Sequence, residues 1–320
     1  MEKSAIKLRT IFMGTSEFAS EILDSLFNAG YNIISVYTQP DKKSGRDQKM
    51  TFSAVKIFSE KNKIPIFQPS KFDETEVEEI KQQKPDIIIL AAYGKIIPPS
   101  VLKIPGFGAL NVHASLLPKY RGPSPIQNAL LNGETETGIT IMLMDEHIDT
   151  GGILSQKSVT IDKDETAADL QKKLAKISSE LLLETLPQWV ERKIAPKKQD
   201  ESKATLCQLV EKSDGKIIWS DSAESIYNRY RAFYPWPGIF CFWEKEDSFK
   251  RMKLNKINLL KSNPEMKHNI GEVFQIVEGV GVQASLGIIL IEEIQLEGRP
   301  KVKIEEFLNG YPDFIGSVLK

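Results

Sequence analysis

Cysteine and histidine are scarce: the 320 residues hold two cysteines, Cys207 and Cys241, and three histidines. Two thiols so far apart form no C-x-x-C pair, and a disulfide framework for a chain of this length would need more of them, so free thiols in a reducing compartment are expected. There is no H-E-x-x-H and no ligand-spaced cysteine, so no metal site is expected. No apolar run approaches the roughly 18 residues that a membrane span requires. The opening stretch MEKSAIKLRT has no apolar core of the kind a secretory leader carries. A cytoplasmic protein with no membrane partner is therefore expected. An excess of either charge is missing too. Lys and Arg number 42 against 43 Asp and Glu, for a formal net charge of −1, so a polyanionic partner would have to be met by local patches.

What is present is ordinary globular material, 41% hydrophobic and 27% charged, in a chain long enough for two domains. The first half alternates. LRTIFM (8–13) reads as a strand ending at Gly14. The stretch from Ser16 to Gly30 reads as a helix with Ser16 as N-cap and Phe18, Ile22, Leu23 and Leu26 on one face. YNIISVYT, IPIF and DIIILAAY follow as strands, with helices between them. That alternation predicts a parallel sheet covered on both faces, a Rossmann-like α/β domain over residues 1–194. The first strand-to-helix turn, MGTSEFAS, lacks the second and third glycines of G-x-G-x-x-G, which removes the main support for a dinucleotide. A long amphipathic helix over 168–193 is predicted, with Pro187 as its candidate break. Residues 195–208 are polar and aperiodic and read as a linker. From 209 to 320 short β-rich runs are broken by Gly, Pro and Asn, which predicts a small β-barrel or sandwich.

The chemistry concentrates around ALNVHASLLPKYRG (109–122). If GALNVHAS ends a parallel strand, alternation points Asn111 and His113 to one face, beyond the carboxyl edge where open α/β sheets bind ligands. Imidazole can accept a proton near neutrality and an Asn amide can donate to a developing oxyanion, a pairing suited to attack on a carbonyl carbon. Taken alone, a histidine near a strand end is more often a structural hydrogen-bonding group. A third member would change that balance. TGITIMLMDEHIDTGGIL (137–154) supplies Asp145, Glu146 and Asp149, with His147 among them, and the residues alone do not choose between these acids. Ser115 follows His113 closely, but there is no G-x-S-x-G elbow for a serine hydrolase.

The residues 111–154 taken together, with Asn-x-His, Ser-Leu-Leu-Pro-x-Tyr-Arg-Gly and a later Asp-Thr-Gly, resemble the formyltransferases that use 10-formyltetrahydrofolate. Further matches extend the resemblance over nearly the whole chain: IFMGTSEFA, YTQPDKKSGR (37–46), IPIFQPSK (64–71), AAYGKIIP (91–98) and RAFYPWPG (231–238). They look like the branch of the family whose acceptor is methionine esterified to initiator tRNA. Pro123 and Ser124 stand where the family often has two small residues.

The resemblance implies a catalytic trio of Asn111, His113 and Asp149, the last chosen because it alone of the three acids precedes Thr-Gly. It implies that Ser115, Leu116, Leu117 and Pro118 bind 10-formyltetrahydrofolate, the formyl donor. The C-terminal domain would be an OB-like β-barrel that binds tRNA. Lys42, Lys43, Arg46 and Lys49 would form a basic loop entering the acceptor stem. Two further basic patches, Lys250–Lys261 and Lys197–Lys198, could extend that track. Neither an obligatory protein partner nor a metal is implied. The rival readings are a noncatalytic RNA-binding protein, which would not depend on His113, and a formyltransferase for a sugar nucleotide or another small amine, which would have no use for the basic loop.

Overall fold

The computed structural model describes residues 5–44, 49–246, 248–260 and 268–320. The chain divides into two compact units: Met1–Pro125 with Glu136–Thr160 and Leu170–Gln208, and Ile126–Thr135 with Ile161–Asp169 and Leu209–Lys320.

The first unit is Rossmann-like. It is built on β1 (Thr10–Gly14), α1 (Glu17–Asn28), β2 (Ile33–Tyr37), a small hairpin of β3 (Lys42–Ser44) and β4 (Lys49–Thr51), α2 (Ala54–Lys61), β5 (Ile66–Phe67), α3 (Glu74–Gln82) and β6 (Ile87–Ala91). There follow α4 (Pro99–Leu102), β7 (Ala109–His113), β8 (Glu136–Leu143), β9 (Ile153–Thr160) and, from Leu170 onward, α6 (Ala167–Val190), while α5 (Pro125–Leu131) belongs beyond Pro125 to the second unit. One seven-stranded sheet runs β5-β2-β1-β6-β7-β8-β9. Its first five strands are parallel, and β8 and β9 join antiparallel. Every residue of β1, β6 and β7 is buried, as strands covered on both faces must be. The Ser16 side chain accepts from the Ala19 amide at the start of α1, which buries Phe18, Ala19, Ile22, Leu23 and Leu26 along one stripe. Helix α6 continues through Pro187 to Val190. The proline sits in the last turn, where a lost amide and a displaced carbonyl disturb few hydrogen bonds.

Chain order reverses at β1, with β2 and β5 on one side and β6 and β7 on the other, so the switch point lies beyond Gly14 and Ala91. A Cβ on Gly14 would stand 2.6 Å from Ala19 Cβ and 2.9 Å from the Ala91 carbonyl oxygen. The backbone there closes to a separation only glycine permits. The Thr15 hydroxyl and the Gln39 amide both donate to the Tyr93 carbonyl, at 2.9 Å each, tying together the loops that leave β1, β2 and β6. His113 ends the next strand along.

The second unit is OB-like. Helix α7 (Ala223–Phe233), capped by Ser222, precedes an antiparallel sheet ordered β10-β11-β14-β13-β12, with β15 on β14. These strands are β10 (Ile239–Lys245), β11 (Ser248–Leu260), β12 (Val273–Ile276), β13 (Gly279–Gln283), β14 (Ile288–Leu296) and β15 (Val302–Lys303), and α8 (Ile304–Gly310) follows. The indole of Trp243 meets Phe307, Tyr311 and Phe314 edge-on. KIIW (216–219), read from the sequence as β-rich, makes a single bridge from Lys216 to Phe240.

Candidate active site

Strand β7 delivers Asn111 and His113 to one point of the sheet's carboxyl edge. They pair across to Met142 and Thr140 of β8, and both are buried, at 7% and 5% exposure. The turn after β8 brings Asp149 to them. Its Oδ1 accepts from Asn111 Nδ2 at 3.0 Å, and its Oδ2 lies 3.6 Å from His113 Nδ1. Oδ2 also accepts from the Gly122 amide at 2.8 Å, so both carboxylate oxygens are occupied. His113 Nε2 donates to the Tyr120 carbonyl at 2.9 Å. A carbonyl only accepts, which assigns the hydrogen of the neutral ring to Nε2 and leaves Nδ1 as its basic nitrogen.

The other two acids turn away. Asp145 caps its own turn, accepting from the His147 amide at 3.1 Å and the Thr150 hydroxyl at 2.6 Å. Glu146 pairs with Lys103 at 2.9 Å on the surface, where that ammonium holds its carboxyl below the usual range. His147 is exposed. Asp149 alone reaches Asn111 and His113, and it does so with φ at 52°, a left-handed conformation that Asp tolerates better than most side chains.

Ser115 to Pro118 continue directly from β7. Ser115 and Leu117 are buried, with Leu116 and Pro118 half-buried. The backbone here is pinned on all sides. Ser115 Oγ donates to the Lys119 carbonyl at 2.6 Å, and Thr140 Oγ1 donates to the Ser115 carbonyl while accepting from the Leu117 amide. Gln156 Nε2 donates to the Leu117 carbonyl at 2.8 Å. Leu116 and Pro118 keep part of their apolar surface exposed, and surface of that kind could take the face of a flat heterocycle.

The basic loop is partly visible. Lys42 and Lys43 are exposed, and Lys42 Nζ donates to Gln39 Oε1 at 2.9 Å. Arg46 and the side chain of Lys49 lie outside the described residues. In the second unit, the Arg251 guanidinium lies 3.7 Å from the Phe240 ring centre. Lys256 is paired with Glu292 at 2.5 Å, and Lys261 lies outside the described residues. Among the described residues no group of three or more His, Cys, Asp or Glu is placed to hold a metal ion, and no helix is long and apolar enough to cross a membrane.

Sequence reasoning missed the residues that build the cluster from behind. The segment read as a polar linker is held against the first unit. Lys197 pairs with Ile153, Thr205 caps the Tyr120 amide through Oγ1 at 2.8 Å, and Leu206 pairs with Arg121. Gln199 is buried and bonded to Arg121 and to the Asp149 turn. Nothing in the local pattern marks these residues, because their partners lie 44 to 85 positions away. Gly122 had a local signal in its Arg-Gly context. A Cβ there would meet the Cys207 carbonyl oxygen at 2.3 Å, at a φ of +120°.

A family model described as formyl transferase matches residues 7–186, and one described as formyl transferase, C-terminal domain, matches residues 209–312. The chain is 40% identical over 315 residues to the methionyl-tRNA formyltransferase of Caldanaerobacter subterraneus subsp. tengcongensis, covering 98% of this chain and 100% of the relative. It is 42% identical over 314 residues to that of Caldicellulosiruptor saccharolyticus, covering 97% and 99%. Among solved structures, an N-formyltransferase from Helicobacter canadensis in complex with folinic acid and dTDP-3-aminofucose aligns with a TM-score of 0.65 at 20% identity, over 89% of this chain and 99% of that one. HypX from Aquifex aeolicus in complex with tetrahydrofolic acid aligns at 0.65 and 18%, over 96% of this chain and 48% of that one. The last two likenesses show the fold.

Proposed function

The chain belongs to the formyltransferase family, and on that premise we propose that it transfers the formyl group of 10-formyltetrahydrofolate to the α-amino group of methionine on initiator tRNA. The observation that carries this reading is the end-to-end identity of about 40% with relatives named for that reaction, joined to a buried amide–imidazole–carboxylate cluster at the sheet edge where the fold binds ligands. We place the activity in the cytoplasm. Formyl transfer is assigned to the first unit, with tRNA binding shared by the basic loop around Arg46 and the OB-like unit.

The chemistry follows from the atoms available. The neutral amine attacks the formyl carbon. A C–N bond forms, the carbonyl oxygen becomes an oxyanion, the C–N10 bond breaks, and the amine's proton ends on N10. Asn111 spends one Nδ2 hydrogen on Asp149, leaving the second for the oxyanion. Such a preorganised donor contributes most where water is excluded. His113 Nδ1 takes the proton from the attacking nitrogen and returns it to N10. The imidazolium formed in between has the Asp149 carboxylate as its neighbour at 3.6 Å. Ser115 to Pro118 hold the donor. No covalent intermediate on the enzyme is needed.

The test is to incubate the protein with 10-formyltetrahydrofolate and methionyl-tRNA and assay the hydrolysed product for formylmethionine, with a nucleotide-linked amino sugar as the competing acceptor. Formylmethionine is expected. Formylation of the sugar alone would replace this reading with its nearest rival. Arg46→Ala should lower kcat/KM for methionyl-tRNA by about tenfold, the value of one charge-assisted contact. It should leave the donor KM unchanged and flatten the decline of activity with salt, because phosphate contacts release counterions. A variant that loses donor affinity and keeps its salt dependence would reassign the loop to the folate site.

A further inference from the structure

Gln199 comes from a stretch with no apolar periodicity, yet its side chain is buried, at 4% exposure. Its carboxamide has two hydrogens and two lone pairs to satisfy, and all four are used. Nε2 donates to the backbone carbonyls of Asp149 and Gly151, each at 2.8 Å. Oε1 accepts from Arg121 Nε at 3.1 Å and Nη2 at 2.9 Å. Arg121 in turn closes a two-pronged pair with Glu201, at 2.8 Å on each arm, and that guanidinium keeps the Glu201 carboxyl below its ordinary range.

Arg121 also directly precedes Gly122, whose amide holds the Asp149 carboxylate. The Arg121–Gly122 dipeptide therefore grips Asp149 twice: at its carboxylate directly, and at its backbone through Gln199. A residue at a φ of 52° persists only when its surroundings over-determine it, and these two grips are what over-determine it.

We infer that Gln199 is a positioning residue for formyl transfer, holding the turn that presents Asp149 to Asn111 and His113. The inference rests on the reading of Asp149 as a member of the catalytic trio. A buried glutamine of purely structural value would contribute to folding equally whether or not Asp149 is present. A positioning residue acts through Asp149 and loses its effect on turnover when Asp149 is gone.

The experiment is a double-mutant cycle on the full chain, with Gln199→Met, Asp149→Ala and their combination, followed by single-turnover formylation of methionyl-tRNA under excess enzyme. Methionine keeps the length and bulk of the side chain while removing both donors and the acceptor. Gln199→Met alone should lower the chemical rate on the order of tenfold or more, as a small misplacement of a reacting group does, with KM for both substrates within about twofold. In the Asp149→Ala background the same change should have little further effect. Equal losses in both backgrounds, or a wild-type rate in Gln199→Met, would overturn the inference. An undiminished rate in Asp149→Ala alone would instead remove the trio, and the single variants distinguish these failures. Should Gln199→Met melt below the assay temperature, Gln199→Glu carries the same cycle: it keeps an acceptor for Arg121 and sets a carboxylate oxygen against the two carbonyls in place of the donating amide.

Discussion

His113→Ala and Asp149→Ala should each lower the turnover of methionyl-tRNA on the order of 10²-fold or more, with the protein still folded and donor affinity kept. The magnitude is that of a lost proton-transfer group or a lost preorganised electrostatic partner. Asp149→Asn should be no milder than Asp149→Ala. Asp149 Oδ1 accepts from Asn111 Nδ2 and Oδ2 from the Gly122 amide, and an Asn side chain has one accepting oxygen for these two donors. Whichever way it turns, an N–H meets an N–H, and Asn111 or Gly122 is pushed aside. Folding should survive because β7 is held by ladders to β6 and β8 whatever its side chains do. The effects should not add: Asp149→Ala in a His113→Ala background should cost far less than the product of the two losses, as for residues acting as one unit. Single-turnover rates with circular dichroism on each variant decide the matter. A near-wild-type rate in any of them removes that residue from the mechanism.

The parts of this molecule that were legible in the sequence are those written in local period. Ile87 to Ala91 read as a buried strand because five apolar residues in succession need cover on both faces, and Phe18, Ile22 and Leu26 read as one helix face at spacings of four. Asn111 and His113 were legible as a pair because a strand alternates. The choice of Asp149 over Asp145 and Glu146 was not written locally and came from a family resemblance. In the structure the distinction is geometric, since Asp145 is consumed by its own turn and Glu146 by Lys103. Gln199 and Thr205 were illegible for a stronger reason. Their segment has no period because it holds only one short 3-10 turn, Glu201–Lys203, and isolated bridges, and its order comes from hydrogen bonds to residues far away in the chain. Aperiodic polarity identifies a segment without its own core, and it does not distinguish a free connector from one pinned along a neighbour.

Gly151→Ala should be among the most damaging single methyl additions in the first unit, in both stability and turnover. A Cβ at Gly151 would stand 1.9 Å from the Leu143 carbonyl oxygen, 2.9 Å from its carbon and 3.3 Å from the Asp145 nitrogen. All three are backbone atoms, so no rotamer change relieves the contact, and the turn must open by about 1 Å. That turn is closed by the Leu143 amide donating to the Gly152 carbonyl at 2.9 Å and by Gln199 donating to the Gly151 carbonyl at 2.8 Å, so opening it strains both. The expected loss of stability is ~3 kcal/mol, the range of overpacking against a rigid neighbour. Asp149 lies two residues upstream, and a displacement near 1 Å at a reacting constellation can cost about 10²-fold in rate. Gly106→Ala is the control, because a Cβ there meets nothing within 4 Å; it should change stability by less than about 0.5 kcal/mol. Thermal melts and kcat for the two variants test the argument together. If Gly151→Ala melts and turns over like Gly106→Ala, the turn has slack that the observed contacts deny, and a tightly held Asp149 loses its structural basis.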